Sequence, residues 1–174
     1  MTTATAASTL AAISPAPASR PDVKGTALAV SLAIMNGHWD ALDDLLDDGF
    51  TYTGDGFVFT KDEYIGFMQD MKAAFSGLKM EFPHVLVDGN QVSVRFVSTA
   101  VNSGSFMGAP ANHRNIEVHG ILIRRVENGK VMQEWQTTDL LGVMRQIGFG
   151  ALLGYSVFVG LFNVTQKRPV RKAA

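Results

Sequence analysis

Ile116-Glu117-Val118-His119-Gly120-Ile121-Leu122-Ile123-Arg124-Arg125-Val126-Glu127-Asn128-Gly129-Lys130-Val131-Met132-Gln133-Glu134-Trp135-Gln136-Thr137-Thr138 is the stretch that decides the fold. β-Branched and apolar residues dominate both halves, and Asn-Gly is the dipeptide that best accepts a tight turn. The stretch therefore reads as two strands, 116–126 and 131–138, joined in a hairpin. Just upstream, Val92, Val94 and Phe96 alternate with Ser93 and Arg95, the period of a half-buried strand.

The first half of the chain has a different period. Leu28, Leu32 and Met35 recur at helical spacing over residues 23–35, and Asn36-Gly37 stops that helix. A second helix is expected over residues 38–48, with Leu42, Leu45 and Leu46 on one face and five aspartates on a solvated face, closed by Gly49. Residues 50–53 alternate as a short strand. Thr60-Lys61-Asp62-Glu63 is a capping box for a third helix with the stripe Tyr64, Phe67, Met68, Met71 and Phe75, and Gly77 suits its C-terminal end. Helices first and an antiparallel meander afterwards mean an α+β fold, not a doubly wound parallel one.

Bulk composition removes several functions. The 174 residues fit one domain with short tails, long enough to fold without staples. Fifteen basic and sixteen acidic residues leave a net charge of -1, which argues against a nucleic-acid partner. With no cysteine there are no disulfides and no thiolate chemistry. His38, His84, His113 and His119 lack ligand spacing, and no phosphate loop or nucleophile elbow occurs. No metal or cofactor is expected. Residues 1–20, rich in Ala, Ser, Thr and Pro, read as a disordered tail without the basic start of a secretory signal, so a cytoplasmic location is expected.

Several pieces together carry a family resemblance: Val92 to Arg95, Gly104-Ser105-Phe106-Met107-Gly108, Arg124 to Val131, Glu134-Trp135, Asp139 and the LGVMRQIG of residues 141–148. They resemble the SnoaL-like polyketide cyclases of the nuclear-transport-factor-two-like superfamily, over about residues 22–148. The resemblance implies a cone-shaped, strongly bent antiparallel sheet whose wide end is closed by helices. It also implies ring closure by aldol chemistry without metal or organic cofactor. Relatives with the same cone isomerise ketosteroids, hydrolyse epoxides, dehydrate, or bind without catalysis. Many members carry Thr-His where this chain has Val101-Asn102, which replaces an imidazole by an amide that does not titrate.

Which polar residues face the pocket depends on the hairpin register. A two-residue type I′ turn pairs Glu127 with Lys130, sets Trp135 beside Leu122 and sends His119 to the opposite face. A type I turn with a bulge at Gly129 pairs Val126 with Lys130 and sets Ile121 beside Trp135, His119 beside Thr137 and Glu117 beside Asp139. A one-residue slip exchanges the faces. The bulged register is preferred because it gathers Ile121, Ile123, Val131 and Trp135 inside and puts Arg124 and Glu134 outside; the resemblance points the same way.

In that register Glu117, His119, Trp135 and Asp139 converge. Asp139 is then the candidate proton-transfer carboxyl and His119 its orienting or oxyanion-stabilising partner. The plain alternatives are a strand-end cap for Asp139 and a structural group for His119. Further candidates for the pocket are Asn102, Tyr52, Trp39, Thr137, Ile121, Phe67 and Met71; capping or packing roles are the alternatives for Asn102, Tyr52 and Trp39. The same register leaves Ile116, Val118 and Leu122 on the outer face, and a monomer rarely exposes such a patch, so a homodimer is expected there.

Residues 147–164, IGFGALLGYSVFVGLFNV, are uncharged and precede Lys167, Arg168, Arg171 and Lys172. They only just reach the length of a membrane span; burial over the pocket or at an interface is preferred, and peripheral membrane contact is the alternative. The chain thus divides into a tail (1–20), a cone domain (21–148) and an apolar segment with a basic end (149–174). The leading expectation is a cofactor-independent cyclase, isomerase or dehydratase acting on an apolar polyketide- or terpenoid-like carbonyl compound in secondary metabolism. The alternatives are a non-catalytic binder of an apolar ligand, and an epoxide hydrolase-like enzyme, which needs an Asp–Arg–Asp network around a water.

Overall fold

A computed structural model describes residues 22–107 and 110–147, with Leu153 and Val157. The tail assigned to residues 1–20 lies outside them, as does the segment 149–174 apart from Leu153 and Val157, both exposed. The element order is α1 (Val23–Asn36), α2 (Trp39–Leu45), β1 (Leu46–Gly54), β2 (Phe57–Thr60), α3 (Lys61–Ala74), β3 (Phe75–Asp88), β4 (Gln91–Asn102), β5 (Asn115–Glu127), β6 (Lys130–Thr138) and α4 (Leu140–Ile147). The six strands form one curved, unclosed sheet in the order β2-β1-β6-β5-β4-β3. Helices α1 to α3 pack on its concave side, so the expected α+β cone is present. All neighbours are antiparallel except β1 and β6, which run parallel.

Local signals set most boundaries. The Asp22 carboxylate accepts from Gly25 N at 2.8 Å and starts α1; Gly37, at φ +69°, ends it. The buried face of α1 is Ala27, Val30, Ser31 and Ile34, while Leu32 of the expected stripe is 45% exposed. Small residues on that face allow the helix backbone to approach the sheet. Glu63 Oε2 accepts from both the amide and the hydroxyl of Thr60 at 2.9 Å, the reciprocal half of a capping box at the start of α3. Helix α2 is shorter than expected because Leu46, fully buried, already belongs to β1.

The hairpin corrects the register. Asn128 and Gly129 both have positive φ, 52° and 78°, and Glu127 pairs with Lys130, so the turn is type I′. Pairing then slips between Arg125 and Val126: Val126 faces Val131, but Arg125 faces Gln133, leaving Met132 as a bulge. Beyond it Arg124 faces Glu134, Ile123 faces Trp135 and Gly120 faces Thr138. His119 and Trp135 do share a face, but it is the convex one. Ile116, Val118, Leu122 and Arg124 point into the cone, the reverse of the expected assignment, and the dimer argument built on an outer Ile116, Val118 and Leu122 loses its basis.

Candidate functional site

The concave side of the sheet encloses a cavity of about 190 Å³. Its walls come from every layer: Ile34 of α1, Phe67, Met68 and Met71 of α3, Phe96 of β4, Leu122 of β5 and Val143 of α4. Aromatic rings form a continuous belt along one wall. Tyr64 lies 5.3 Å from Tyr52, Tyr52 stacks on Phe59 at 5.6 Å, and Phe67 links Phe59 to Phe106 at 5.2 and 5.5 Å. Such a surface suits an apolar guest.

The closed end of the cone holds a buried polar network. Arg124 Nε donates to Glu134 Oε2 at 2.5 Å, and its Nη1 donates to the Ala27 carbonyl and to Ser31 Oγ at 2.5 and 2.8 Å. The Tyr64 hydroxyl donates to the same carboxylate at 3.2 and 3.3 Å. Arg124 and Glu134 are each 1% exposed. Burial works against the guanidinium charge, but Glu134 and Tyr64 more than offset it and hold Arg124 above its usual range. The network ties α1 and α3 to the sheet and carries no uncommitted carboxylate toward a guest.

A second polar group lies along β6. Gln136 Nε2 donates to Thr138 Oγ1 at 3.0 Å, and Thr138 N donates to Asp55 Oδ1 at 2.8 Å. Asp55 sits at φ +50° in the Asp55-Gly56 turn between β1 and β2, a conformation that Asp tolerates. Tyr52 is 2% exposed and lines the same cavity, yet its hydroxyl bonds to none of the described residues. Among the described residues no buried side-chain nitrogen or oxygen lacks a partner, so this hydroxyl opens on the cavity. Burial first, then the charges of Asp55 and Glu134, push the Tyr52 phenol far above the tyrosine range, and burial does the same to Tyr64.

This has an alkaline signature. Both phenols stay protonated in the folded chain above pH 10, the ordinary tyrosine value, where the unfolded chain releases those protons. Stability is therefore fully present below about pH 10 and falls as pH rises beyond it. Absorbance titration near 295 nm should show Tyr52 and Tyr64 ionising only together with unfolding; ionisation of either in the folded protein near pH 10 would contradict the burial.

The candidates from the sequence divide between the two faces. Tyr52, Asn102, Phe67 and Met71 line the cavity. The Asn102 amide is committed at both ends, accepting from Asn112 N at 2.9 Å and donating to the Gly104 carbonyl at 3.0 Å, so it pins the loop after β4. Glu117, His119, Ile121, Trp135, Thr137 and Asp139 are exposed and do not line it, and Trp39 is half-buried against the core outside it. His119 Nε2 lies 2.8 Å from Glu117 Oε1 on the convex side. Asp139 precedes α4, and its Oδ1 accepts from Gly142 N at 2.8 Å, a helix cap. The expected convergence of Asp139 and His119 in the cone is thus absent; they meet only through a backbone bond from Asp139 N to the His119 carbonyl.

Sequence reading missed Asp55, Gln136 and Thr138, and it put the Arg124–Glu134 pair on the outer face where the structure buries it. Asp55-Gly56 carried the same hairpin signal as Asn128-Gly129 and marks the turn that places the carboxylate. Among the described residues no three His, Asp or Glu side chains gather as a metal site, and no helix is long and apolar enough to cross a membrane.

The sequence profile of the SnoaL-like polyketide cyclase family matches residues 26–147. No curated protein matches the sequence. Solved structures share the fold. TsrD from Streptomyces laurentii is 23% identical with a TM-score of 0.67, covering 76% of this chain and 98% of that one. IdmH from Streptomyces antibioticus, provisionally assigned as a polyketide cyclase, is 20% identical with a TM-score of 0.66, covering 74% and 99%. An LEH-like epoxide hydrolase from M. tuberculosis is 16% identical with a TM-score of 0.58, covering 80% and 96%.

Proposed function

Because the chain belongs to the SnoaL-like polyketide cyclase family, we propose that it catalyses cofactor-independent proton transfer on an apolar carbonyl compound held in the cavity, with Asp55 and Tyr52 as its chemical groups. The observation that carries this reading is the hydroxyl of the buried Tyr52, without a partner among the described residues and open to an apolar cavity that also takes in the Asp55 carboxylate. One oxygen of Asp55 holds Thr138 N; the other has no partner to displace among the described residues. That oxygen removes a proton from the carbon next to the carbonyl, and the C–H electrons pass into an enolate. Tyr52, kept neutral by burial, donates its O–H to the enolate oxygen. Return of the proton to another carbon is isomerisation; attack of the enolate carbon on a second carbonyl is cyclisation.

Deuterium exchange tests the shared step. The C2 protons of 1-tetralone in D2O should exchange faster with the protein than with buffer, followed by NMR. Exchange at the buffer rate, with the ketone bound, supports the non-catalytic binder instead. That second reading is favoured by one observation: Asp139 lies on the surface and caps α4. Epoxide opening fits less well, because Arg124 is paired with a single carboxylate and its Nη1 is held by Ala27 and Ser31.

A second copy of the chain is the partner we assign to the convex face. Ile121 and Trp135 are 47% and 38% exposed there, and Ile123 is half-buried beside them. Apolar residues in the middle of a sheet face with a polar surround have the layout of an interface. Light scattering should give a dimer mass, and Trp135→Glu a monomer that still binds ligand. A monomer mass for the parent protein at micromolar concentration removes this assignment.

A further inference from the structure

Two glycines on the concave face of the sheet have no conformational need to be glycine, since neither carries a left-handed φ. Space explains both. A Cβ on Gly54 would stand 2.7 Å from the Tyr52 hydroxyl oxygen and 2.4 Å from the Gln136 carbonyl oxygen. A Cβ on Gly120 would stand 2.3 Å from Cζ of Phe96, its cross-strand partner. The bare backbone at these positions is what lets the two rings lie flat along the sheet. The phenol of Tyr52 therefore lies across Gly54, and its hydroxyl is held in place without a hydrogen bond to any of the described residues.

Away from the Asp55 turn and the end of β6, the other polar side chains of the wall are engaged within the protein. Asn102 is bonded at both ends, Ser98 donates to the Lys79 carbonyl, and Arg124 donates through Nε and Nη1 to Glu134, Ala27 and Ser31. A guest with several hydroxyls would leave them unpaired here, which costs affinity. The size is also restrictive. An apolar cavity of about 150 Å³ takes a benzene ring, so about 190 Å³ suits one or two fused rings and not a four-ring skeleton.

We propose that the ligand is a compact one- or two-ring ketone with a single carbonyl, that this carbonyl accepts from Tyr52, and that Gly54 is the positioning residue that sets the hydroxyl. The proposal rests on the cavity being the functional site, as argued above, but needs no turnover.

Binding of three probes tests it: 1-tetralone, its carbonyl-free analogue tetralin, and the four-ring ketone benzanthrone. Calorimetry should show Tyr52→Phe weakening 1-tetralone by about three- to tenfold, the net worth of one hydrogen bond, with tetralin unchanged. Benzanthrone should bind more weakly than 1-tetralone. The infrared carbonyl stretch of bound 1-tetralone should lie at lower frequency in the parent protein and move back up in Tyr52→Phe. Gly54→Ala should reproduce that upward move with the hydroxyl still present, a change that mere loosening of the fold does not produce. Because the Tyr52 hydroxyl has no partner among the described residues, Tyr52→Phe should keep its melting temperature, so it decides the case even if Gly54→Ala fails to fold. Equal 1-tetralone affinity in Tyr52→Phe overturns the carbonyl contact, an unshifted stretch in folded Gly54→Ala overturns the positioning role, and benzanthrone binding as tightly as 1-tetralone overturns the size. Loss of deuterium exchange with these binding results intact overturns only the catalytic reading.

Discussion

Arg124→Met should destabilise the fold by about 3–5 kcal/mol, because it strands the Glu134 carboxylate in the closed end of the cone. Glu134 is 1% exposed and would keep only the Tyr64 hydroxyl as a partner, at 3.2 and 3.3 Å. The loss also frees the Ala27 carbonyl and Ser31 Oγ, the two points at which the guanidinium holds α1. For a domain of this length the melting temperature should drop by roughly 6–20 °C. The pair itself is a different matter, since two buried charges gain little over apolar side chains of equal volume. The triple variant Arg124→Met, Glu134→Leu, Tyr64→Phe should recover most of the lost stability. A single Arg124→Met variant that melts within a degree or two of the parent would show that water reaches Glu134, and the closed end of the cone would have to be redrawn.

That same pair explains where sequence reading stopped. Charged residues are mostly exposed, so Arg124 and Glu134 were assigned to the outside of the hairpin, and every neighbour of alternate parity followed them. Strand direction and turn position were legible from Asn128-Gly129, and the start of α3 from Thr60 and Glu63. The parity was not, because Val131 and Glu134 both point inward although they stand three positions apart. Only the bulge at Met132 permits that, and nothing in the local residues announces it. Strand β3 was missed for a related reason. Its pairing with β4 slips twice, between Ser76 and Lys79 and between Glu81 and His84, and Pro83 and a left-handed Gly77 interrupt it, so no clean alternation exists to read. Of the site, the apolar lining was legible at Tyr52, Phe67 and Met71, since ring and Met side chains at helical and strand spacing must bury. The proposed carboxylate was not legible, because the resemblance points to Asp139 while Asp55 stands in a turn.

Asp55→Asn isolates the proposed chemistry. The amide keeps the shape, tolerates the φ of +50°, and still offers Oδ1 to Thr138 N, so the turn between β1 and β2 should survive. What disappears is an oxygen that takes up a proton. If Asp55 is the base, deuterium exchange into 1-tetralone should fall by about 10²–10⁴-fold, the usual worth of a positioned general base. Affinity for 1-tetralone should hardly change, since Tyr52 still meets the carbonyl. Asp139→Asn provides the contrast. Asparagine caps a helix nearly as well as aspartate, and the residue lies outside the cavity wall, so both exchange rate and stability should stay close to the parent values. The two variants divide the cases cleanly. A loss at position 55 alone puts the chemistry at the mouth formed by the turn and the end of β6. A loss at position 139 alone means that α4 moves in solution and carries its cap inward, returning the carboxylate to Asp139. Parent rates in both, with exchange still above buffer, would leave the accelerated step to the Tyr52 hydroxyl polarising the carbonyl, with solvent as the base.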